Sequence, residues 1–479
     1  MNQPTREDPV AAALSEVVGG PVGRRARPHS WWTPVRVLLA VFTVVFSLAL
    51  VRDYPCGKTD WSNNDVRYSR MCYSDVPYLY TGRGFAEHRW PYGQDDGRYP
   101  AMEYPVLISY LAWGASEVTA LVPSGPAQEI RAQTPVAGLW GLPGMTTEVN
   151  TYFLVTALLL FGCGLGALWF LAGASPGRPW DAMGFALAPV LLATALVNWD
   201  LLALLFTAAA LWAWARDRPL LAGAMVGLGV ATKLYPLFLL GAFLVDLLRR
   251  GEEDRRDRLD RAGTTLFGAA AAWFAVNLPA IATGSADWKV FWSFNSERGA
   301  DLGSLWLLLD QLGAHTSAHS INVVSGVVFL AACAGILALG LRAPRRPQVA
   351  QIAFLIVAAF LIVNKVYSPQ YVLWLLPLAA LARPNWRDLL LWQAGELVYF
   401  GAVWLYLGGW LAPSTGTDAT AYQLAIVVRV AAELYLVARV VGDVLDPIPP
   451  LGDLDPVEGS RGEPDPELDL VADGRHLRA

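Results

Sequence analysis

Two lysines of this 479-residue chain interrupt stretches that are otherwise apolar. Lys233 lies in GLGVATKLYPLFLLGAFL, residues 227–244, and Lys365 lies in NKVYSPQYVLWLLPL. A lysine at the centre of an isolated membrane span costs about 2.5–3.5 kcal/mol, so such residues are usually paired or face an aqueous cavity. Asp200 supplies a carboxylate at a similar junction of apolar runs, and Arg298 adds a cation in a later loop. A cation cluster at one depth of a bilayer suits the phosphate group of a lipid.

A proline close to Lys233 predicts how this lysine is presented. Pro236 removes a backbone donor and strains the preceding turn, which favours a helix break at residues 232–235. Two short half-membrane helices would then meet near one side of the bilayer and bring the ammonium to the headgroup level. The alternative is that Lys233 lies near a helix end and only extends its side chain to the interface.

The segment after the first apolar run mixes charged and aromatic side chains. It contains RDYPCGKTDWSNNDVRYSRMCYSDVPYLYTGRGFAEHRWPY, which begins at Arg52. Such mixtures suit carbohydrate, because carboxylates accept hydrogen bonds from sugar hydroxyls and aromatic rings cover the flat C–H faces of sugars. An aromatic belt at the membrane interface is the alternative. In an oxidising compartment Cys56 and Cys72 would form a disulfide, whereas Cys163 and Cys333 lie in apolar runs as inert thiols.

Composition indicates that these residues belong to a membrane protein. The chain is 54% hydrophobic and 16% charged and has 20 tryptophans, which is too apolar and too aromatic for an ordinary soluble protein of this size. Because roughly 20 apolar residues cross the hydrocarbon core, the recurring apolar runs predict an all-α polytopic fold with about 12 transmembrane helices. The runs are 35–51, 149–173, 182–198, 200–215, 220–232, 234–248, 263–283, 321–341, 350–363, 371–383, 388–407 and 420–442.

Arginines in the loops predict the orientation, because positive charge is retained on the cytoplasmic side. Arginine-rich stretches precede the first run and lie at 249–261 and 342–346, so we expect these stretches and both termini in the cytoplasm. This parity requires residues 104–122 to form a helix in or on the outer leaflet. A merger of 220–232 with 234–248 into one helix is the competing solution. The loops that would be extracytoplasmic are 284–319, 364–370 and 408–419.

These expectations divide the chain into three parts. Residues 1–34 are predicted to be a disordered cytoplasmic N-terminus, and the acidic, proline- and glycine-rich residues 446–479 a disordered cytoplasmic tail. Residues 35–445 would form the transmembrane domain, in which residues 52–148 make one large external loop with membrane-associated helices.

The order of several motifs resembles a known family. SDVPYLYTGRGF is followed by WPY and EYPVL, then by NWDLLALLF, GLGVATKLYPL and VYSPQYVLWLLPL. Over residues 35–442 this order resembles the membrane glycosyltransferases of the C-type superfamily, the GT-C fold. The chain looks most like glycosyltransferase family 87, the polyprenyl-phosphate-mannose-dependent mannosyltransferases of actinobacterial cell envelopes.

The resemblance implies a sugar transfer at the outer face of the cell membrane, with inversion at the anomeric carbon. The donor would be a polyprenyl-phospho-sugar and the acceptor a glycolipid or glycan; mannose is the leading sugar and arabinose an alternative. The superfamily has an essential acidic residue in the first outer loop, and Asp75 in YSDVPY matches that position. A carboxylate that takes the proton of an acceptor hydroxyl accelerates attack by about 100- to 10,000-fold. Asp53, Asp60 and Asp65 are rival positions nearer the first apolar run.

The resemblance also implies a binding site for the donor. Lys233, Lys365 and Arg298 would hold its phosphate and stabilise the charge on the departing group. Asp200 and Tyr367 would orient these cations or the sugar. The histidines of the loop GAHTSAHS are candidates because some family 87 members are thought to use a histidine in a later outer loop. The further candidates for substrate binding are Glu103, Tyr235, Gln370, His315 and His319.

Several motifs are absent from the sequence. No glycine-rich nucleotide loop precedes a predicted helix, no His and Cys spacing suggests a zinc site, and no Asp-x-Asp occurs in the first outer loop. We therefore expect no cofactor, no metal, no nucleic-acid partner and no cytosolic nucleotide-sugar donor.

Two other classes of protein are compatible with the sequence. Broken helices with intramembrane lysines also occur in secondary transporters and lipid flippases, which usually show two similar halves. The segment 52–148 has no counterpart in the second half of the chain, which argues against a transporter. A noncatalytic scaffold of envelope assembly would keep the fold without the chemistry, and the presence of Asp75 argues against it.

Overall fold

The computed structural model describes residues 31–446, apart from 94, 95, 176, 252, 253, 413, 414 and 417. Helices form the regular structure of these residues, and no strand occurs among them, which confirms the predicted all-α fold. The predicted disordered segments 1–34 and 446–479 lie outside the described residues except for 31–34 and 446.

Five of the described helices are long and apolar enough to cross a membrane. They are α1 (Pro34–Lys58), α6 (Met145–Ala174), α12 (Arg255–Glu297), α14 (Ala318–Arg342) and α17 (Trp386–Leu407). Shorter helices lie between them, and the long and short apolar helices together form a polytopic membrane protein. The shorter apolar helices are α9 (Asp200–Ala215), α10 (Pro219–Val230), α11 (Leu239–Leu248), α15 (Val349–Val363) and α16 (Val372–Ala382), and α18 (Thr420–Leu445) follows α17.

The prediction of a single span over 182–198 is wrong. The chain there forms α7 (Met183–Ala186) and α8 (Pro189–Thr194), preceded by a 3-10 turn at Pro179–Ala182. Pro189 has no backbone N–H and cannot continue α7, but it fits the first position of a new helix.

The prediction of a loop over 284–319 is wrong over much of its length. α12 has 43 residues and continues to Glu297, with a single non-helical residue at Gly284. A further helix, α13, occupies Leu305–Gln311. Polar residues in SADWKVFWSFNSE end the apolar pattern of α12 without ending the helix, so hydropathy alone placed its end too early.

The predicted break around Lys233 is confirmed. α10 ends at Val230 and a 3-10 turn at Tyr235–Phe238 leads into α11, so the alternative of one merged helix is wrong. A Cβ added to Gly229 would lie only 2.7 Å from Cβ of Pro236, which shows how sharply the chain turns. Lys233 lies between the end of α10 and this 3-10 turn, and its backbone N–H donates to the carbonyl of Gly229 at 2.8 Å.

The segment 52–148 folds into short helices around the end of α1. A disulfide joins Cys56 to Cys72, as predicted. A helix was predicted over residues 104–122, and the observed helix, Val106–Thr119, has 14 residues. Its length is therefore about 21 Å at 1.5 Å per residue. That is shorter than the ~30 Å hydrocarbon core, and this helix packs against α6. The helices of the segment are α2 (Asn64–Ser69), α3 (Asp75–Gly82), α4 (Val106–Thr119) and α5 (Gln128–Gln133).

The segment 52–148 and the arginine-rich loops lie at opposite ends of the helices. The backbone N–H of Asp75 donates to the carbonyl of Val197 at 2.9 Å, just before α9 begins. Arg346 pairs with Asp246, near the end of α11, at 2.5 Å. α15 connects the two ends, since Arg346 precedes it and Lys365 follows it.

Candidate active site

A cavity of about 650 Å³ lies at the end of the helices that carries the segment 52–148. Its walls come from distant parts of the chain, including the start of α3, the turn after α10, the end of α12 and the residues before α16. The predicted site residues that line this cavity are Asp75, Glu103, Lys233, Arg298, Lys365 and Gln370.

Asp75 is the first residue of α3, where the unpaired N–H groups of the helix favour a carboxylate. The preceding Ser74 caps the helix by accepting a hydrogen bond from the backbone N–H of Val76 at 3.3 Å. Ser74 also donates to the carbonyl of Leu196 at 2.6 Å. The position of Asp75 is therefore fixed both by local capping and by a contact with a distant part of the chain.

The carboxylate of Asp75 accepts hydrogen bonds at both oxygens. Tyr73 donates to Oδ1 at 2.8 Å. Tyr104 and Asn198 donate to Oδ2 at 3.2 and 2.7 Å. Burial raises the pKa of Asp75 above its ordinary value, because desolvation outweighs these hydrogen bonds and the charge of nearby Lys233. A carboxylate with a raised pKa takes up a proton more readily, as a general base requires.

The rival carboxylates lie away from the cavity. Asp53 is buried in α1 and pairs with Arg52 at 2.5 Å. Asp60 accepts a hydrogen bond from the backbone N–H two residues later, at 3.1 Å, and Asp65 is exposed on α2. The geometry therefore favours Asp75.

Lys233 reaches the cavity between a carboxylate and an aromatic ring. Its ammonium lies 3.7 Å from Oδ1 of Asp200 and 4.7 Å from the ring centroid of Tyr104. Asp200 is fully buried, and the same oxygen accepts a hydrogen bond from Nε1 of Trp374 at 2.6 Å. Asp200 therefore lies between Lys233 and Trp374 and contacts both.

Lys365 and Arg298 form a second cationic part of the cavity. Nζ of Lys365 donates to Oδ1 of Asn322 at 2.6 Å and to the carbonyl of Ser296 at 3.4 Å. No carboxylate of the described chain pairs with it. Arg298 pairs with Asp301 at 2.6 Å. Burial and the charge of Arg298 lower the pKa of Lys365, which is the expected effect of positive groups crowded together.

Glu103 forms a bidentate pair with Arg83 at the cavity wall, with N–O distances of 2.8 to 3.0 Å. Its negative charge contributes to the raised pKa of Asp75. Gln370 is 5% exposed, and its Oε1 has no hydrogen-bond partner among the described residues. Leaving a buried acceptor unpaired costs about 1–3 kcal/mol, so a hydroxyl group of a ligand would find a partner there.

Five predicted site residues do not line the cavity, namely Asp200, whose contact with Lys233 is given above, and Tyr235, Tyr367, His315 and His319. Tyr235 is fully buried behind it, where its ring stacks on Trp374 with centroids 4.8 Å apart. Tyr367 is also fully buried. His315 is 79% exposed and pairs with Asp310 at 2.7 Å. His319 lies on the exposed first turn of α14.

Tyr367 belongs instead to a buried network that supports the neighbouring Lys365. Its hydroxyl donates to Glu396 at 2.9 Å, and the guanidinium of Arg429 lies 3.7 Å from its ring centroid. Arg429 pairs with Glu433 at 2.9 Å, and both side chains are fully buried. These contacts hold Tyr367 in place two residues after Lys365.

Sequence reasoning missed several polar residues that complete the cavity. Tyr104 lies within the motif EYPVL and Asn198 within NWD. Tyr73 precedes SDVPY directly, whereas no local pattern pointed to Asn322. Within the described residues, no group of three or more His, Cys, Asp or Glu is placed to hold a metal ion.

A comparison with known protein families gives a match. The model of glycosyltransferase family 87 matches residues 134–364. The matched range contains Asp200, Lys233 and Arg298; it begins after Asp75 and ends one residue before Lys365. No curated protein matches the chain. The family match covers slightly less than half of the chain, and together with the all-α polytopic architecture it supports a membrane glycosyltransferase of the C type that resembles glycosyltransferase family 87.

Proposed function

We propose that this glycosyltransferase moves a sugar, mannose foremost, from a polyprenyl-phosphate donor to a glycolipid or glycan acceptor of the cell envelope. The observation that carries the proposal is that Asp75 and Lys233 line one cavity and contact the same residue, Tyr104. A carboxylate that takes a proton and a cation that receives a phosphate are the two groups that such a transfer needs.

In the proposed reaction, Asp75 takes the proton of an acceptor hydroxyl. The hydroxyl oxygen forms a bond to the anomeric carbon of the donor sugar as the bond from that carbon to the phosphate oxygen breaks. The prenyl phosphate leaves with the electron pair, and the sugar is attached with inverted configuration. The raised pKa of Asp75 supports this role, because it brings the carboxylate closer to the working pH of a base.

Lys233, Lys365 and Arg298 would bind the phosphate before and after this bond breaks. Asp200 and Asp301 already pair with two of these cations, whereas Lys365 has only neutral oxygen partners among the described residues. Lys365 therefore has the largest uncompensated charge to offer the leaving phosphate, and Lys233 is the cation whose position is linked to the base.

A smaller groove beside the cavity fits the apolar chain of such a donor. It has a volume of about 200 Å³ and runs between α14 and α15, where Phe329, Phe360 and Val363 line it. Lys365 lines both the groove and the larger cavity. The outward face of α14 is apolar and exposed, with Val327 63% exposed, as expected for a helix in contact with lipid.

The separation of the cavity from the arginine-rich loops supports an extracytoplasmic reaction. Positively charged loops are retained in the cytoplasm, so the opposite end of the helices faces outward. A disulfide between Cys56 and Cys72 at that end is consistent with an oxidising compartment. The N- and C-termini would accordingly be cytoplasmic.

The test is a transfer assay with the purified full chain in lipid nanodiscs. Radiolabelled polyprenyl-phospho-mannose, the arabinose counterpart and a nucleotide-sugar are supplied separately with an envelope glycolipid extract. We expect a new labelled glycolipid with a polyprenyl-phospho-sugar and none with the nucleotide-sugar. Transfer from the nucleotide-sugar alone would contradict the proposal. In sealed vesicles, movement of labelled lipid without a new glycosidic bond would instead support a flippase.

A further inference from the structure

One end of the cavity is formed by an aromatic cluster, defined here as Tyr68, Tyr73 and Trp404, which all line the cavity. The rings of Tyr68 and Tyr73 are stacked with centroids 6.0 Å apart. Trp404 lies 5.1 Å from Tyr73 and 6.3 Å from Tyr68. Tyr68 comes from α2, Tyr73 from the residues before α3 and Trp404 from α17, so the cluster is assembled from distant parts of the chain.

The carboxylate of Asp75 connects this cluster to the cationic side of the cavity. Its Oδ1 accepts a hydrogen bond from Tyr73 of the aromatic cluster. Its Oδ2 accepts hydrogen bonds from Tyr104, whose ring faces Lys233, and from Asn198. A hydroxyl that reaches Asp75 from the aromatic side would therefore approach a donor whose phosphate lies on the side of Lys233.

The aromatic cluster has hydrogen-bonding groups that the protein does not use. Nε1 of Trp404 is buried and has no partner among the described residues. The hydroxyl of Tyr68 likewise makes no hydrogen bond to the described part of the chain, while its side chain is partly exposed. A buried N–H without a partner is unfavourable, so a ligand that supplies an oxygen at Trp404 would be favoured.

The chemistry of the aromatic cluster points to a neutral ligand with many hydroxyls. Its three members carry no charge. The nearest guanidinium, that of Arg67, is 4.8 Å from the Tyr68 ring centroid and donates to Tyr78 at 2.8 Å. Arg67 does not line the cavity. Aromatic surfaces with one polar handle suit a sugar ring, which offers C–H groups on its faces and hydroxyls on its edges.

We propose that the aromatic cluster is the acceptor subsite and binds a neutral saccharide ring, one of whose hydroxyls is thereby presented to Asp75. This inference rests on the proposed function, because it takes the cationic side of the cavity as the site of the donor phosphate. It adds the place in the cavity where the acceptor saccharide binds and the residues that bind it. Trp404 Nε1 and the Tyr68 hydroxyl bind the saccharide, and the rings position it.

Two measurements on the purified full chain test this subsite. Binding of mannobiose and of an arabinose disaccharide is followed by saturation-transfer NMR in nanodiscs, without donor. Acceptor KM and donor KM are then measured separately in the transfer assay. Two variants are compared with the wild type. Tyr68→Leu removes the ring and the hydroxyl at a partly exposed position, and Trp404→Phe keeps an aromatic ring but removes the indole N–H. Tyr54→Leu is the matched control, because Tyr54 is 61% exposed on α1 and outside the cavity.

We expect saccharide binding by the wild type and by Tyr54→Leu, and its loss in both aromatic-cluster variants. Acceptor KM should rise about tenfold in each of these variants while donor KM stays unchanged. Equal disaccharide binding by the wild type and Tyr68→Leu, or no binding by the wild type, would overturn the subsite. Absence of transfer by the wild type with every donor would contradict the proposed function, and disaccharide binding would still decide the subsite.

Discussion

The hydroxyl of Tyr104 lies 3.2 Å from Oδ2 of Asp75, while the ring of the same tyrosine faces the ammonium of Lys233 at 4.7 Å. One side chain therefore contacts both the proposed base and a proposed phosphate ligand. The contact couples their positions, so that moving one group disturbs the other. The hydrogen bonds that Asp75 accepts can be removed one at a time by mutation, and each removal should change the pKa of its carboxyl group.

The transfer rate should fall on acidification. We expect this fall at a higher pH than the ordinary pKa of an aspartate would give. Asp75 acts as a base only when ionised, and burial raises its pKa, so the acidic limb of the rate profile moves upward. Tyr73→Phe and Tyr104→Phe each remove a hydrogen bond that favours the ionised form, so we expect each to raise the pKa of Asp75 and to move the acidic limb to higher pH. The measurement is kcat/KM as a function of pH.

A substitution that should lower the pKa of Asp75 provides the control for this pH dependence. Glu103 is a negative neighbour that contributes to the raised pKa of Asp75. Glu103→Gln should therefore move the acidic limb to lower pH, whereas the tyrosine variants move it to higher pH. A limb that shifts in the same direction in all three variants, or in none, would show that another group controls the profile.

Replacing Lys233 should damage both donor use and stability, for separable reasons. Lys233→Met leaves Asp200 buried without its cation, and breaking a buried pair in this way costs roughly 3–5 kcal/mol. The double variant Lys233→Met with Asp200→Asn removes both charges and should recover most of the thermal stability. Donor KM should stay high in both variants, because the phosphate ligand is missing. Recovery of normal donor KM in the double variant would exclude Lys233 as that ligand.

The disulfide should support the position of Asp75. Cys72 precedes Asp75 by three residues and is bonded to Cys56 at the end of α1, with a sequence separation of 16. A loop of roughly 15 residues gives a stabilisation of about 3 kcal/mol in the chain-entropy account. The double replacement of Cys56 and Cys72 by serine should lower both the midpoint of thermal unfolding and the transfer rate. Cys333→Ser, which removes a free thiol, should change neither.

The loop histidines should be dispensable for transfer. His315 and His319 are exposed and lie outside the cavity, although the family resemblance made them candidates. Substitutions at exposed positions usually change free energies by less than about 0.5 kcal/mol, so His315→Ala and His319→Ala should retain transfer rates within about twofold. A tenfold loss in either variant at normal expression would mean that this loop reaches the substrate.

Local signals in the sequence predicted the parts of the site that depend on one stretch of chain. A lysine and a proline within four residues of each other indicated the turn at Lys233, and that turn is present. Hydropathy failed where polar residues continue a helix, as in the last part of α12, and where a proline divides an apolar run, as at Pro189.

The remaining parts of the site depend on contacts between distant residues. Asn198 donates to Asp75 across 123 positions of the chain, and Trp374 donates to Asp200 across 174. Residue type alone identified the acids and cations, since their charges are unusual in apolar surroundings. It did not identify the neutral partners, because tyrosine, tryptophan and asparagine are common at membrane interfaces and gain their roles only through the fold.

The most direct test of the account is the transfer rate of Asp75→Asn with labelled polyprenyl-phospho-mannose and envelope glycolipid. Asparagine keeps the shape of the side chain and removes the proton acceptor, so we predict a loss of about 100- to 10,000-fold at wild-type thermal stability. Asp65→Asn, at an exposed carboxylate outside the cavity, serves as the control and should transfer normally. Transfer by Asp75→Asn at the wild-type rate would contradict the assignment of the base and the cavity built around it.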